Sequence, residues 1–406
     1  MTFRRIVQDV SVTGLGMLTP AGDGWRTGWE RVRDGQPTAV LGPLTPVPHL
    51  ACVVDFDSAR LGPARSRKPD RCTQLALLAA REALSDAGLE PARWNGARVA
   101  VVMGSSYGGI EMLESEHRAL LEKGSKAVSP YAVPTSLSNS VSAQLSIEFA
   151  AMGPSLTVNT ACASGATAIG TALDLLALGR CDIVLAGGAE AAITPFNIVG
   201  LERIGALSHH FEDPARAVRP FDVGRDGLVI GEGAGVLVLE RTADARARGA
   251  KVRGRIKGFG ASSDAYHVVK PGLNGAGLTS AVREALARAG VLPEDVSYIN
   301  AHGTGTQVGD RVEAAVLAEL FPHRPPVSST KAVTGHLMGA AGAVEAVLTV
   351  LAVEQGLVPP TANLENLDPA VALDIPTKCR EERLQVALSV SAGFGGQNAV
   401  LAIAPA

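Results

Sequence analysis

Apolar and polar positions along the chain alternate between helical and strand spacing, and the same order occurs twice. Residues 81–89 and 283–291 share a helical apolar pattern that ends at a glycine, and a proline-containing link follows each. Glycine just after the last helical turn is a common C-terminal cap. A short apolar segment comes next in both places, at residues 99–103 and 296–300. The pattern therefore predicts an internal repeat of helix, link and strand.

Later apolar segments continue the repeat. The further predicted strands lie at residues 156–159, 183–186, 236–239, 327–331, 388–390 and 400–403. Strands that alternate with helices predict an α/β fold with a buried, mostly parallel sheet. We therefore predict two similar halves related by a pseudo-twofold axis, one over residues 1–250 and one over residues 251–406.

The segment after Cys162 reads as a helix that is apolar nearly all round, which is typical of a central, buried helix. Its apolar positions are Ile169, Ala172, Leu173, Leu175, Leu176 and Leu178. The N-terminus of a helix carries unpaired N–H groups and partial positive charge, so we expect it to lower the pKa of the thiol. Small neighbours leave room for a substrate. The pattern indicates a nucleophilic cysteine, and a buried structural cysteine is the alternative.

Composition excludes several classes of function. The 406 residues carry a net charge of −3 with scattered basic residues, which does not favour a nucleic-acid or anionic-membrane surface. No run of 18 apolar residues occurs, so we expect no membrane span and a cytoplasmic protein. The five cysteines are odd in number and widely spaced, so we predict neither a disulfide framework nor a metal site.

Two of the eight histidines differ from the others. His302 and His336 each follow a predicted strand beside glycines, at equivalent stages of the second half. Strand ends at one edge of an α/β sheet are where chemical groups gather. The remaining histidines lie in polar or loop-like segments, most of them expected at the surface: His49, His117, His209, His210, His323 and, without a clear assignment, His267. Together with Cys162, the two strand-end histidines predict a catalytic cluster.

Several motifs together resemble the elongating β-ketoacyl-acyl-carrier-protein synthases, and thus the thiolase-like fold. They are residues 160–165, 220–222, 225–227, 231–235, 300–306, 309–310, 329–336 and 393–396. The resemblance extends from Val10 to Ile403. It implies two βαβαβαββ halves in an α-β-α-β-α layering, with the nucleophile in the first half and both catalytic histidines in the second.

The resemblance also implies a reaction. Cys162 would accept an acyl group from acyl carrier protein, and the backbone N–H groups of Cys162 and Phe394 would form the oxyanion hole. Phe394 would also gate access to the thiol. His302 and His336 would then donate hydrogen bonds to the thioester oxygen of malonyl-carrier protein as it loses CO2. The expected product is a β-ketoacyl chain two carbons longer.

Supporting residues follow from the same resemblance. Lys331 would order the site and fix the electrostatic field around His336, with Glu345 as its ion partner. Asp310 and Glu313 would brace the loop of His302. For these three acids a solvent-exposed helix face is the alternative.

Substrate contacts are likewise implied by the resemblance. Thr304 and Thr306 would bind the phosphopantetheine arm, although loop hydroxyls often bond their own backbone. Tyr107 and Leu201 would line the acyl pocket, with ordinary core packing as the alternative. No cofactor is expected, because the glycines around Leu15 lack a complete dinucleotide motif and the substrates travel on acyl carrier protein.

Differences from related families narrow the reaction but not the pathway. Residues 393–398 lack the second cysteine of degradative thiolases, and the Cys-His-His set differs from the Cys-His-Asn set of chain-initiating synthases. Val269 and Gln397 stand where fatty-acid synthases usually have threonine, and Tyr107 is bulkier than the common aliphatic residue. These departures favour a ketosynthase of a type II polyketide or polyene-like pathway, paired with a cysteine-lacking chain-length-factor-like paralogue.

Two alternatives remain open at this point. A housekeeping fatty-acid elongating synthase would work as a homodimer. A catalytically silent scaffold would only dock acyl carrier protein, and the intact Cys162, His302 and His336 set counts against it.

Overall fold

The computed structural model describes residues 9–42, 47–62 and 69–406, so the first eight residues of the predicted first half lie outside it. The strands in the described residues are β1 Val10–Thr19, β2 Gly22–Asp23, β3 Val40–Leu41, β4 Leu50–Cys52, β5 Val99–Gly104, β6 Ser155–Val158, β7 Ile183–Glu190, β8 Ile230–Gly231, β9 Gly233–Arg241, β10 Gly254–Ser263, β11 Val296–Asn300, β12 Val327–Ser328, β13 Leu357–Val358, β14 Arg380–Glu381, β15 Val386–Gly393 and β16 Gln397–Ala404. The α-helices are α1 Trp25–Arg33, α2 Arg71–Asp86, α3 Ile110–Lys123, α4 Ala132–Ser136, α5 Ser140–Phe149, α6 Ser164–Ala177, α7 Pro195–Arg203, α8 Thr242–Ala247, α9 Ala276–Ala289, α10 Gln307–Leu320, α11 Lys331–Thr334 and α12 Ala341–Gln355.

The two ends of the main sheet have the same arrangement of strands. Its order is β6-β5-β7-β9-β1-β10-β16-β15-β11-β12. From the central antiparallel pair β1–β10 outward, each end has two antiparallel pairings followed by two parallel ones. This equivalence confirms the pseudo-twofold relation of the halves. The predicted mostly parallel sheet is wrong, because the last strand of each half, β9 or β16, runs antiparallel to both of its neighbours.

Element bounds agree well in the regular parts of the chain. The predicted strand at 296–300 coincides with β11, and the strand predicted at 99–103 extends by one residue in β5. The strand predicted at 327–331 is wrong after Ser328, because Lys331 begins the short helix α11. The predicted division between residues 250 and 251 falls in the link between α8 and β10 and stays a prediction.

Helices α6 and α12 form the middle layer of the molecule. Their buried faces share one apolar cluster with strands of both halves. Helices α2 and α5 cover the outer face of the first half, and α9 and α10 cover the outer face of the second half. This arrangement confirms the α-β-α-β-α layering.

The two central helices differ in how deeply they are buried. Ile169 and Leu176 of α6 are fully buried, but Leu178 is 74% exposed because the helix ends one residue earlier. The prediction of an apolar face all round is therefore wrong at that end. In α12 every residue from 341 to 353 is buried. The segment Met338–Gln355 is long and apolar enough to cross a membrane, yet 89% of it is buried inside the protein, as in a core helix.

Candidate active site

A strained turn between β6 and α6 presents Cys162. Ala161, directly before it, has φ of 50°, a left-handed conformation that costs energy for a residue with a side chain. Two side chains hold this turn: Asn159 Oδ1 accepts from the Ala161 N–H at 3.0 Å, and Ser164 Oγ accepts from the Thr160 N–H at 2.9 Å. The turn therefore fixes the cysteine two residues ahead of α6.

The glycine-rich loop after β15 packs directly against this turn. A Cβ on Gly393 would lie 2.7 Å from the Thr160 carbonyl oxygen and 3.0 Å from the Cys162 nitrogen, so only glycine fits here. Because the loop comes so close, the backbone N–H of Phe394 donates to the Cys162 sulfur, as does the N–H of Cys162 itself. The two N–H groups expected to form an oxyanion hole thus converge on the thiol.

The thiol of Cys162 is neutral in the free protein. Burial raises its pKa to about 12, although the Lys331 ammonium and the N–H groups of Phe394 and Cys162 oppose the rise. The expected lowering of this pKa by the helix N-terminus is therefore wrong, because desolvation of the charged sulfur outweighs those donors. The proton must leave the sulfur as it attacks a substrate.

His302 and His336 lie together in the second half. Their rings meet edge to face with centroids 5.4 Å apart. The backbone of His336 is held in place by β8, because its N–H donates to Val229 O at 2.8 Å and its carbonyl accepts from the Gly231 N–H at 2.9 Å. His302 lies two residues after the end of β11, close to its predicted strand end. The strand-end position predicted for His336 is wrong, because the helix α11 lies between β12 and this residue.

Both imidazoles are neutral at neutral pH. Burial, followed by the nearby Lys331 ammonium, lowers the pKa of each ring well below 6.5, and His336 lowers that of His302 further. A neutral imidazole has one N–H donor and one acceptor nitrogen. The pair can therefore donate two hydrogen bonds to one oxygen without placing a full positive charge there.

Lys331 and Glu345 form an ion pair in the interior. Both side chains are almost fully buried, and the ammonium contacts one carboxylate oxygen. Burial raises the pKa of Glu345, and Lys331 opposes the rise. The pair joins α11 to α12 and places a positive charge that acts on both imidazoles and on the Cys162 thiol.

Two buried acids bind the loop that carries His302. Glu313 accepts from the N–H groups of His302 at 2.7 Å and Gly303 at 2.8 Å. Asp310 accepts from Gly305 N at 3.1 Å and from Phe221 N at 2.8 Å. Burial raises the pKa of Glu313 to about 7 and that of Asp310 to about 6. Neither carboxylate faces solvent, contrary to the alternative of an exposed helix face.

The two threonines of the same loop bond each other. Thr304 Oγ1 and Thr306 Oγ1 are 3.1 Å apart. Thr304 and His302 also line a cavity of about 50 Å³, together with residues of the loop from Asp264 to Gly275. The side chain of Thr304 thus lies in the same cavity as His302.

An apolar cluster surrounds Cys162 on the other side. Leu201 and Met338 are buried in it, and Tyr107 and Phe394 pack against it. Both predicted acyl-pocket residues therefore belong to or contact the apolar cluster that contains Cys162. Among the described residues, no three His, Cys, Asp or Glu side chains gather as metal ligands.

The sequence prediction missed three polar residues of the site. Asn159 and Ser164 flank Cys162 and fix its turn, and Glu190 is a fully buried carboxylate at the end of β7. An acidic residue that ends an otherwise apolar strand was the available signal for Glu190. The surface assignment of His49 is also wrong, because its side chain is 3% exposed next to β4.

Comparison with known proteins matches this geometry. The family profile for the N-terminal domain of beta-ketoacyl synthases matches residues 7–245, and the profile for the C-terminal domain matches residues 253–365. The chain belongs to the β-ketoacyl synthase family. The resemblance seen in the motifs is thereby confirmed, and the chain is a condensing enzyme of the acyltransferase class.

Relatives of this β-ketoacyl synthase span its whole length. It is 40% identical to the 3-oxoacyl-[acyl-carrier-protein] synthase 2 of Vibrio cholerae over 99% of both chains, and 40% identical to that of Staphylococcus aureus over 97% of both. The solved ishigamide ketosynthase/chain length factor is 33% identical with a TM-score of 0.91, and covers 98% of this chain and 99% of that one. A type II polyketide synthase acyl-carrier protein in complex with its ketosynthase gives 29% identity, a TM-score of 0.90 and the same coverage.

Proposed function

We propose that this enzyme catalyses the decarboxylative condensation of malonyl-acyl-carrier protein with an acyl group held on Cys162. The observation that carries the proposal is that one buried ammonium, Lys331, acts on the Cys162 thiol and on both imidazoles, while two N–H groups donate to the sulfur and the two rings meet edge to face. The substrates arrive on the phosphopantetheine arm of acyl carrier protein, and no cofactor takes part.

The first half-reaction transfers the acyl group to the enzyme. The Cys162 sulfur attacks the thioester carbonyl, and the oxyanion that forms accepts from the N–H groups of Cys162 and Phe394. The carrier thiolate leaves and takes up the proton that Cys162 loses. Because the thiol is neutral at rest, it attacks only when a thioester is positioned to receive it.

The second half-reaction forms the carbon–carbon bond. Malonyl-carrier protein loses CO2, and His302 and His336 donate to the thioester oxygen on which negative charge develops. The enolate carbon then attacks the Cys162 thioester, the cysteine sulfur leaves as a thiolate and takes up a proton from solvent, and β-ketoacyl-carrier protein is released. Lys331 and Glu345 keep the surroundings of both rings fixed, and Thr304 and Thr306 bind the pantetheine arm.

We further propose that the enzyme is the ketosynthase subunit of a type II polyketide or polyene-like pathway. Tyr107 packs against the apolar cluster that contains Cys162, where its aromatic ring would narrow the acyl pocket. Solved structures of similar overall fold include ketosynthases in complex with a chain length factor. A cysteine-lacking paralogue of that kind would be the partner subunit.

The second candidate is elongation in fatty-acid synthesis by a homodimer. It is favoured by curated relatives at 40% identity, which are named 3-oxoacyl-[acyl-carrier-protein] synthase 2. A catalytically silent scaffold is the weakest reading, since Cys162, His302 and His336 are all present and the buried Lys331 ammonium acts on each of them.

Either pathway requires a partner subunit, and one edge of the main sheet supports such an assembly. Strand β6 ends the sheet, and its residues 155 and 156 are exposed. Exposed apolar side chains lie on this strand and on nearby helices, among them Leu156, Ile147 and Val133. An open, partly apolar edge strand readily pairs with another chain.

The burial of Met338–Gln355 supports a cytoplasmic enzyme.

Condensation and pathway can be tested with the purified protein. It is incubated with malonyl-acyl-carrier protein and acyl-carrier proteins of several chain lengths, and mass spectrometry follows the product. We expect a β-ketoacyl product two carbons longer and one CO2 per product. Absence of any acyl-enzyme would contradict the reaction. Solubility and activity only with a co-expressed cysteine-lacking paralogue would support the polyketide pathway, and full activity alone would support the fatty-acid pathway.

A further inference from the structure

Glu190 is a fully buried carboxylate beside the active site. It is the last residue of β7, its side chain is 0% exposed, and its charge acts on the Cys162 thiol and on the Tyr107 hydroxyl. No basic side chain pairs with it among its described contacts; backbone and hydroxyl donors surround it instead. A buried acid without a cation is costly, so its position calls for an explanation.

Four donors converge on its two oxygens. Oε1 accepts from Ser105 Oγ at 3.1 Å and from the Tyr107 N–H at 3.4 Å. Oε2 accepts from the N–H of Ser106 at 2.6 Å and from the N–H of Gly339 at 3.2 Å. One carboxylate thus joins the turn after β5 to the turn that precedes α12.

Each of these turns contributes a wall of the apolar cluster around Cys162. Tyr107 belongs to the first turn, and Met338 belongs to the second. Met338 has φ of 48°, a strained conformation for a residue with a side chain, and the bond from Gly339 holds the next residue in place. A Cβ on Gly339 would lie 2.4 Å from Ser106 N and 2.6 Å from Glu190 Oε2, so the two turns are in direct contact.

We propose that Glu190 is a positioning residue of the acyl pocket, whose carboxylate fixes the Tyr107 turn against the Met338 turn and thereby sets which acyl chains fit beside Cys162. This inference rests on the proposed acyl transfer to Cys162. Glu190 touches neither substrate nor reacting atoms in this scheme and acts only through the two turns.

The chemistry of the four donors requires two acceptor oxygens. Three of them are backbone N–H groups that cannot reverse their role. Glutamine has one oxygen and one NH2 group. In Glu190→Gln the NH2 group would therefore face N–H donors where the carboxylate has an acceptor oxygen. Burial raises the pKa of Glu190 to about 7, and the four hydrogen bonds, which favour the ionised form, oppose the rise.

The test compares Glu190→Gln with a matched buried acid. Glu240 is 2% exposed, accepts from Thr13 Oγ1 at 2.5 Å and from Arg248 at 2.7 Å, and lies level with the opposite end of β7 from Glu190, because it pairs with Ile183 at the start of that strand. Rates of acyl-enzyme formation are measured for hexanoyl- and tetradecanoyl-carrier protein with wild type, Glu190→Gln and Glu240→Gln, together with kcat, KM and Tm.

We expect Glu190→Gln to change the ratio of kcat/KM between the two chain lengths about tenfold or more, the effect of losing a hydrogen bond to a charged group. Glu240→Gln should lower Tm and leave that ratio within about twofold of wild type. If Glu190→Gln does not fold, Ser105→Ala, which removes one donor, should shift the ratio in a smaller but measurable way.

An unchanged ratio in a folded Glu190→Gln or Ser105→Ala variant would overturn the inference, as would an equal shift in Glu240→Gln. If wild type forms no acyl-enzyme with either donor, the proposed function fails first. The two failures are therefore distinguishable.

Discussion

His302 and His336 meet edge to face with their ring centroids 5.4 Å apart, close enough for both to donate to a single substrate oxygen. Different strands position the two rings. His302 lies just after the end of β11, and the backbone of His336 is hydrogen-bonded to the segment of β8. Their neutrality follows from burial and from the Lys331 charge, not from hydrogen bonds to acids.

Replacing either imidazole should suppress decarboxylation. We expect His302→Ala and His336→Ala each to slow CO2 release from malonyl-carrier protein by a factor of about 100 to 1000, the usual effect of losing one donor to a developing oxyanion. Radiolabelled malonyl substrate measures the release. The exposed His323 provides a control, because His323→Ala should behave like wild type. Wild-type rates in both active-site variants would remove the enolate assignment.

Removing the thiol should separate the two half-reactions. We expect Cys162→Ala to form no acyl-enzyme and to retain measurable malonyl decarboxylation, because the imidazoles remain. Intact-protein mass spectrometry detects the adduct, and Cys181→Ala, which removes another buried thiol, should load normally. A stable acyl adduct on Cys162→Ala would show that the nucleophile is elsewhere.

The lowered pKa of His336 predicts a pH-dependent stability. Between its folded value and 6.5, the unfolded chain binds a proton that the folded chain does not, so the free energy of unfolding falls as the pH drops below 6.5. Relative to His336→Gln, wild type should lose about 1.4 kcal/mol per pH unit in that range. Urea unfolding at several pH values measures the difference. A difference that stays constant or grows as the pH falls would contradict the assignment.

The ion pair between Lys331 and Glu345 should be costly to break on one side. We expect Lys331→Met to reduce the free energy of unfolding by about 3–5 kcal/mol, because Glu345 would remain buried without its cation. The double variant Lys331→Met with Glu345→Leu should recover most of this loss. Chemical denaturation compares the three proteins. A double variant as unstable as the single one would show that the pair matters for more than charge balance.

A proline on the edge strand should prevent assembly. Val101 N donates to Pro154 O at 2.9 Å and Ser105 N donates to Val158 O at 3.2 Å, so by alternation the N–H of Ser155 faces the open edge. Ser155→Pro removes that donor and keeps the bonds to β5. We expect a monomer by analytical ultracentrifugation, and Leu178→Lys, at another exposed apolar residue, should assemble like wild type. An intact dimer of Ser155→Pro would place the interface elsewhere.

Local sequence patterns predicted much of the fold. The repeated helices that end near Gly88 and Gly290 and the coincidence of β11 with residues 296–300 follow from apolar spacing and glycine caps. The antiparallel direction of β9 and β16 could not be predicted from the spacing of apolar residues. A strand that is buried on both faces has the same apolar pattern whether it runs parallel or antiparallel to its neighbours. The end of α6 at Ala177 was missed for a related reason, since Leu178 is apolar but exposed.

The motifs in the sequence predict which residues form the proposed site, but they do not predict the pKa values of its groups. The motifs identified Cys162, His302 and His336, whose relative placement depends on residues far apart in the chain. The pKa of Cys162 was mispredicted, because the helix N-terminus is a local feature whereas burial is set by the other half of the molecule. Glu190 was missed for the same reason, since its four donors come from segments on either side of it in the sequence.

The close contact of Gly393 with the Cys162 turn has a consequence for biosynthesis. The thiol belongs to the part of the chain that leaves the ribosome early, whereas Phe394 and both imidazoles emerge late. A nascent polypeptide therefore lacks the Phe394 N–H that donates to this sulfur until its C-terminal strands are in place. If Cys162 is the acyl acceptor, we therefore expect acyl transfer to begin only in the completed protein, so that unfinished copies would leave carrier-bound intermediates intact.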